Sequence, residues 1–552
     1  MPPSILACGS NAASHLAINH SEDVSTLTPT LYHPSIEQTI QPLPCSVLDL
    51  VSASAHSLLL LTERDNINCG KQGVRRNVLL GAGTNTYGQL GPRCALWEDV
   101  KPERRWKVLN LASPAGLEGE WEPVKIAATW TTSFVVYQRA RIGTGDSSHD
   151  GRTAQTPSDP NNTASGLVSG SGSGSGSGSS TSINGDIGGN GNGIASIPNK
   201  VEHVVISTGS NDFGELGSTS LAPSTLGSNA PAQLSISTAS INPTIVDIDL
   251  KPGERVELIK GGQRHVIAVI GDMHGRRQRV VGWGASRKGE LDAATLSSSA
   301  TPTNARTAPT AGKGKGKGKA AVGPPFSPPT TIDLPIPLNQ RIIDITLGAS
   351  HTLALLSDGT LLGWGSNLKG QITGVHQLRA VRGIAASWGG SYFLTEEGEV
   401  RSQGSNSHSQ LLRGSGLSQE ADGGSVASAS ASERDIVAVP EGWEVRRIVA
   451  GSEHLLVHAK KRKPTTNQSA ASRQNEEEEA LFSGGWNEHG NLGLGDQEDR
   501  NSFHRVEIDV GVGSRGQGQG QERGRGRSHG RMKGLWGGCA STWVWIDQDG
   551  QG

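Results

Sequence analysis

Four histidines stand at matching points of the chain, His56, His265, His351 and His454, each opening a short apolar segment. Imidazole is the commonest metal ligand and a ready general base, so metal or acid–base chemistry is the first reading to test. Ligands to one ion must all lie about 2 Å from it, and each of these histidines falls in a separate repeat of the chain. The expectation is therefore structural: each imidazole bonds backbone groups of the neighbouring unit and locks unit to unit. Three further units carry Thr132, Gly390 and Ser541 at that point, with an aromatic two residues later: Phe134, Tyr392 and Trp543. The histidine units have Leu58, Ile267, Leu353 and Leu456 there, so aromatic volume is read as replacing the imidazole. The five cysteines, Cys8, Cys45, Cys69, Cys94 and Cys539, form no CxxC pair, which gives neither a zinc nor a redox motif. A scattered, odd count suits a reducing compartment. No GxSxG elbow, P-loop or HExxH is present. No catalytic, cofactor-binding or metal site is expected.

The elements that carry these residues form a repeat. A short apolar strand followed by Gly-x-Asn, and often by Gly-x-Leu, recurs seven times, from Ile5, Val78, Val204, Val280, Leu361, Val400 and Leu481, with Ser286 replacing the Asn in the fourth copy. Each has a companion of apolar strand, tight turn and second apolar strand, from Val47, Val124, Val256, Ile342, Val381, Val445 and Gly534. Short strands separated by Gly turns make hairpins. One such unit cannot bury both faces, whereas seven arranged radially can. The strands are labelled A (VxxIAAG-like), B (opening at the His), C (LLGWG-like) and D, taken as the residues directly after GQLG. The fold class is all-β, a seven-bladed β-propeller over residues 1–552. The chain opens on a C strand and ends on A and B strands, so its two ends are expected to complete one composite blade and leave no sheet edge open.

The segment GASHTLALLSDGTLLGWGSNLKGQ, Gly348 to Gln371, resembles the regulator-of-chromosome-condensation repeat, and the likeness extends to all seven copies. No Trp-Asp dipeptide occurs, which disfavours a WD-type propeller. Three segments narrow the resemblance: GSNAASHLAINHSEDVSTLTP near the start, GGWNEHGNLG in the last repeat, and WGGCASTWVW at the end. Together they look like the fungal alpha-tubulin-suppressor, killer-toxin-insensitivity propeller. That resemblance implies a non-enzymatic scaffold partnering a small CSL-type zinc protein. It further implies a role in diphthamide synthesis on elongation factor 2 and in Elongator-dependent tRNA wobble-uridine modification, with Elongator or diphthamide-synthesis components as further partners. The alternative within the same fold is a guanine-nucleotide exchange factor for a Ran-like GTPase. It needs an ordered wedge, which the Ser/Gly/Lys-rich insertions do not suggest.

Long low-complexity insertions, expected to be disordered, fall at about 92–120, 138–203, 218–254, 293–340, 413–442, 459–480 and 497–533. They are assigned to B–C turns and D–A links, which share one face, so the face of the A–B and C–D turns is expected to be uncluttered. Function concentrates on loops held by a rigid scaffold. Trp130 and Trp388 sit in A–B turns on that face, either as partner anchors or packed on the next blade. Asn487, Glu488 and His489 lie in a C–D turn on the same face. Light-sensing receptors of this fold pair such tryptophans with Arg-His, and neither Trp130 nor Trp388 is followed by Arg-His. The net charge of −2 gives no global pull toward nucleic acid or membrane. The Arg-Gly tract Arg515 to Arg531 offers at most a weak phosphate contact. No apolar run approaches the ~20 residues of a membrane span, and the first residues show no signal peptide. A cytoplasmic location is expected, with Lys460 to Pro464 as a nuclear-import patch or a solvated loop.

Overall fold

The computed structural model describes residues 4–39, 46–63, 76–92, 102–141, 200–218, 242–292, 326–414, 435–462, 478–508 and 531–547. Met1–Arg139 together with Val201–Gly552 form one compact unit. Ala140–Lys200 form a second, of which 142–199 lie outside the described residues. The first unit carries seven antiparallel sheets, six meandering A-B-C-D and one of three strands, A-B-C, and is a seven-bladed β-propeller.

Blade 1 is composite. Its A and B strands are Arg531–Gly538 and Ser541–Asp547, and its C and D strands are Ser4–Gly9 and Val24–Pro29. Ile5 pairs with Trp545 and Ala7 with Trp543, so the two ends of the chain share one sheet as the repeat phase requires. The A strands that follow are Ser46–Ser52, Glu122–Ala128, Glu254–Gly261, Ile342–Leu347, Val381–Ala386 and Trp443–Ala450, for blades 2 to 7. The B strands open at His56, Thr132, His265, His351, Gly390 and His454.

Two local devices repeat around the ring. Every A–B pairing slips by one residue near the start of the A strand, between Val47 and Asp49 in blade 2 and between Val445 and Arg447 in blade 7. Such a bulge turns the extra side chain away from the sheet. Leu48 and Ile343 occupy bulge positions and are accordingly exposed. The second device explains Gly-x-Asn. All seven of these glycines, from Gly9 to Gly485, have φ between +93° and +131°. That region is open to glycine and costly for other residues. In each blade the next residue's N–H donates to the carbonyl just before the B strand, as Thr84 does to Ala55 at 2.9 Å and Trp486 to Glu453 at 3.0 Å. All six Asn side chains then accept the backbone N–H five residues on, as Asn85 does from Leu90 at 2.7 Å and Asn487 from Leu492 at 2.9 Å. The motif is thus the fold of the C–D turn written in sequence.

The D strands correct the sequence reading. They are Glu103–Val108, Thr244–Val246, Phe326–Ile332, Ile436–Val437 and Arg500–Val506 in blades 2, 3, 4, 6 and 7, inside or overlapping ranges assigned to insertions. Blade 5 has three strands, and a 3-10 turn, Val375–Gln377, follows its C strand. Residues 93–101, 219–241, 293–325 and 415–434 therefore connect C to D, and their anchors belong to the same face as the A–B turns. Residues 64–75, 142–199 and 463–477 connect B to C, and 509–530 connect D to the next A. Insertions are therefore anchored on both faces, where a single face had been expected. The Ser-Gly run Ser169–Ser179, the Gly-Lys run Gly312–Lys319 and nearly all of the Arg-Gly tract lie outside the described residues.

Packing lies mainly between blades. Trp283 and Trp364, both in C strands, are fully buried, and their indole N–H groups donate to Glu215 O and Glu290 O of the preceding blade at 2.8 and 3.0 Å. Among the described residues no helix is long and apolar enough to cross a membrane.

Candidate functional site

The seven A–B turns converge on the end of the central channel, around a cavity of about 160 Å³ lined by Ser54, Trp130, Gln263, Gly348, Trp388 and Ser452 among others. A hydrogen-bonded belt ties six of the seven seams here. Trp130 N–H donates to Gln263 O at 3.0 Å, Trp388 N–H to Ser452 O at 2.7 Å, and Cys539 N–H to Ser52 O at 3.2 Å. The Ser54 hydroxyl donates to Trp130 O at 2.9 Å.

Trp130 belongs to blade 3 and Trp388 to blade 6, yet their indoles meet with centroids 5.8 Å apart at 50°. Each ring packs on the other across the channel mouth while remaining half-exposed. Arg264, from the A–B turn of blade 4, lies 5.7 Å from the Trp130 ring and 4.0 Å from Phe213. Neither tryptophan is followed by Arg-His in sequence. The guanidinium comes instead from the neighbouring blade, whose Arg264-His265 pair is remote in sequence. Stacked aromatic and guanidinium groups at a rigid, part-desolvated mouth are the composition of interface hot spots.

A second cluster lies at the seam where blades 7 and 1 close the ring. His489 Nδ1 sits 2.7 Å from Asp23 Oδ2, and the other Asp23 oxygen accepts Asn11 N–H at 2.7 Å. The His489 ring stands edge-on to Trp486 at 5.3 Å. Asn487 is fully buried; besides accepting Leu492 N–H, its amide donates to Asp496 O at 3.0 Å, so it holds the turn and offers nothing to a partner. Glu488 is exposed. Asp23 was missed as a site residue, although a signal exists. Asn11/Asp23 and Asn487/Asp499 share one spacing, and in both the Asp accepts the Asn backbone N–H. Nearby, burial pushes the Glu453 carboxyl up to about 7, against a lowering bond from Gln410.

The repeat histidines act as inter-blade struts. His56, His265, His351 and His454 are fully buried, and their Nε2 atoms meet Ser133, Thr352, Ser391 and Thr542 hydroxyls of the next blade at 2.9 to 3.3 Å. The partner is a side-chain hydroxyl, where backbone had been expected. Ser133 Oγ donates onward to Gln89 O and Thr542 Oγ1 to Asn491 O, both at 2.6 Å, so Nε2 carries the proton in these two relays. Burial holds His56 and His265 down to about 3, and His351 and His454 to about 4, so all four are neutral near pH 7. In the other blades Phe134 packs edge-on against Trp283 at 5.8 Å. Tyr392 donates to Gln410 O at 2.9 Å. Trp543 donates to Ser541 Oγ at 3.1 Å and packs beside Trp106. Among the described residues no group of three or more His, Cys, Asp or Glu is placed to hold a metal ion.

Residues 342–371 match the model of the regulator of chromosome condensation (RCC1) repeat. The Ultraviolet-B receptor UVR8 of Arabidopsis thaliana is 26% identical over 271 residues, 46% of this chain and 47% of that protein. An RCC1 repeat-containing protein of Dictyostelium discoideum is 36% identical over 102 residues, 15% of this chain and 21% of that one. The chain thus matches less than half the length of either curated relative. Among solved structures, human WBSCR16 superposes with a TM-score of 0.54 at 14% identity, covering 99% of this chain and 100% of that one. Prp20p of Saccharomyces cerevisiae, described with its binding to Gsp1p and histones, also gives 0.54 at 14%, covering 100% and 93%. At such identity these structures speak for the fold alone. The chain thus carries an RCC1-type repeat at residues 342–371 and shares its propeller fold with these structures.

Proposed function

We propose that this chain is a non-enzymatic protein-binding scaffold that docks its partner on the face of the A–B and C–D turns. The partner in this reading is a small CSL-type zinc protein, and the pair serves diphthamide biosynthesis and Elongator-dependent tRNA wobble-uridine modification, in the cytoplasm and the nucleus. One observation carries the proposal. The three sequence segments that resemble the fungal propeller, far apart in the chain, adjoin at the closure seam. Their contacts include His489 to Asp23 at 2.7 Å and Thr542 Oγ1 to Asn491 O at 2.6 Å. Exposed Glu488 and Asp23 and half-exposed His489 and Trp486 stand there on the same face as the Trp130–Trp388 pair.

The competing reading is a guanine-nucleotide exchange factor for a Ran-like GTPase, favoured by the fold shared with Prp20p. Two assays separate them. Calorimetric titration with the zinc protein should give saturable binding. Trp130→Ala, Trp388→Ala or His489→Ala should each weaken it, and a hot-spot loss of about 2 kcal/mol is roughly thirtyfold. Circular dichroism of the variants should stay native. Accelerated release of fluorescent nucleotide from the GTPase, without zinc-protein binding, would transfer the function to the exchange factor.

A further inference from the structure

Below the tryptophan pair the central channel widens to a cavity of about 380 Å³, lined by the A strands of all seven blades. Its charged lining is four cations, Lys260, Arg382, Arg446 and Arg447, against one carboxylate, Asp344. The bulge in each A strand is the cause. It turns Arg382 and Arg446 out of the pairing and brings Asp344 and Arg447 one step behind. Some of this charge is already answered. Lys260 lies 3.7 Å from Asp49, and Arg446 is 3.1 Å from Glu444 at the strand's start. Arg382 donates to Val445 O at 2.6 Å and to Thr395 O at 3.0 Å. Arg447 makes no hydrogen bond or ion pair among the described residues, and its nearest opposite charges are Asp49 and Asp344. Arginine keeps its proton here, so the exposed Arg447 side chain presents to the lumen a charge with no hydrogen-bonded partner in the protein.

We infer that the central channel is a binding well for a small phosphate-type oxyanion, held by Arg447 with Lys260 and Arg382 around it. Arginine's planar fork matches two oxygens of such an anion at once. Several cations around one narrow lumen concentrate the field on whatever enters. The A–B end of the channel is narrowed by the meeting of Trp130 and Trp388. Arg382 and Arg446 sit at the bulges near the starts of their A strands, with Lys260 deeper, toward the tryptophans, so entry is from the opposite face. The well is therefore independent of the docking surface proposed above. The anion is free phosphate or the phosphate of a larger molecule; the chemistry is shared.

The test is isothermal titration of the full chain with inorganic phosphate and with pyrophosphate at low ionic strength. Saturable binding is expected, weakened at least tenfold by Arg447→Gln, with the melting temperature in phosphate-free buffer unchanged. If that variant does not fold, Lys260→Gln carries the same expectation. Tighter binding of pyrophosphate than of phosphate assigns the well to polyphosphate esters, and equal binding assigns it to free phosphate. Trp130→Ala should leave the affinity within twofold. Absence of saturable binding to both anions, or unchanged affinity in both charge variants, overturns the inference.

Discussion

A single methyl group is enough to test why each C–D turn begins with glycine. At Gly485, φ is +109°, and an added Cβ would lie 2.7 Å from Glu453 O, the carbonyl that Trp486 N–H must reach. Strain and clash then act together, each costing about 1–3 kcal/mol. Gly485→Ala should therefore lower stability by about 2–4 kcal/mol in urea unfolding, whereas alanine at Gly398, which has φ of +87° but open space around it, should cost only about 1. Asn85→Ala removes the acceptor for Leu90 N–H and the donor to Gly91 O. It should cost about 1–3 kcal/mol without altering the ring. An unchanged midpoint in either case would show that the turn is held by its neighbours alone.

Strands set the pH response. Each B strand that begins with histidine places a neutral imidazole between blades, and His15 in the blade 1 C–D turn is equally buried, held down to about 4. In the unfolded chain these groups titrate near 6.5, so below that value the unfolded state binds more protons. The stability they protect is complete above about pH 6.5 and is lost as pH falls toward 4–3, at up to about 1.4 kcal/mol per unit for each histidine. Glu215 and Glu453, raised to about 7 by burial, act the other way between about 4.5 and 7, but they are two against five. Net destabilisation from pH 6.5 to 4.5 is the expected outcome of urea melts, and His454→Gln should flatten the slope. The same strands show what sequence can disclose. Gly-x-Asn and the B-strand histidine are legible because each is a chemical requirement met locally. The D strands were not, since an outer edge strand such as Ile436–Val437 buries only one side chain of two and carries little apolar pattern. Taking the residues after GQLG as D then moved four insertions to the wrong face. Nor were the meeting of Trp130 with Trp388 and the Arg264 contact legible, because only closing the ring brings blades 3, 4 and 6 to one mouth.

For the whole molecule, insertions are anchored on both faces, and the proposed docking surface is the inner zone of turns, close to the channel and the closure seam. Deleting 160–195 or 300–325, which are poor in apolar residues, should shift the melting temperature by less than about 2 °C. Deleting 531–552 should abolish the cooperative transition, because it removes two strands of blade 1 and strips the packing from Ile5, Leu6 and Ala7. Limited proteolysis and a melt would read both. The pairing of Ile5 with Trp545 also puts a clock on the protein's birth. A ribosome adding about 5–20 residues per second needs roughly 30–110 s to travel from one partner to the other. Throughout that interval the strand Ser4–Gly9 has no inner neighbour, and Val24–Pro29 can pair only with it. Early blades can stack as they emerge, but Ser4–Gly9 is among the last segments to be secured. A nascent chain stalled before residue 531 would present an apolar strand to chaperones until it is released or destroyed.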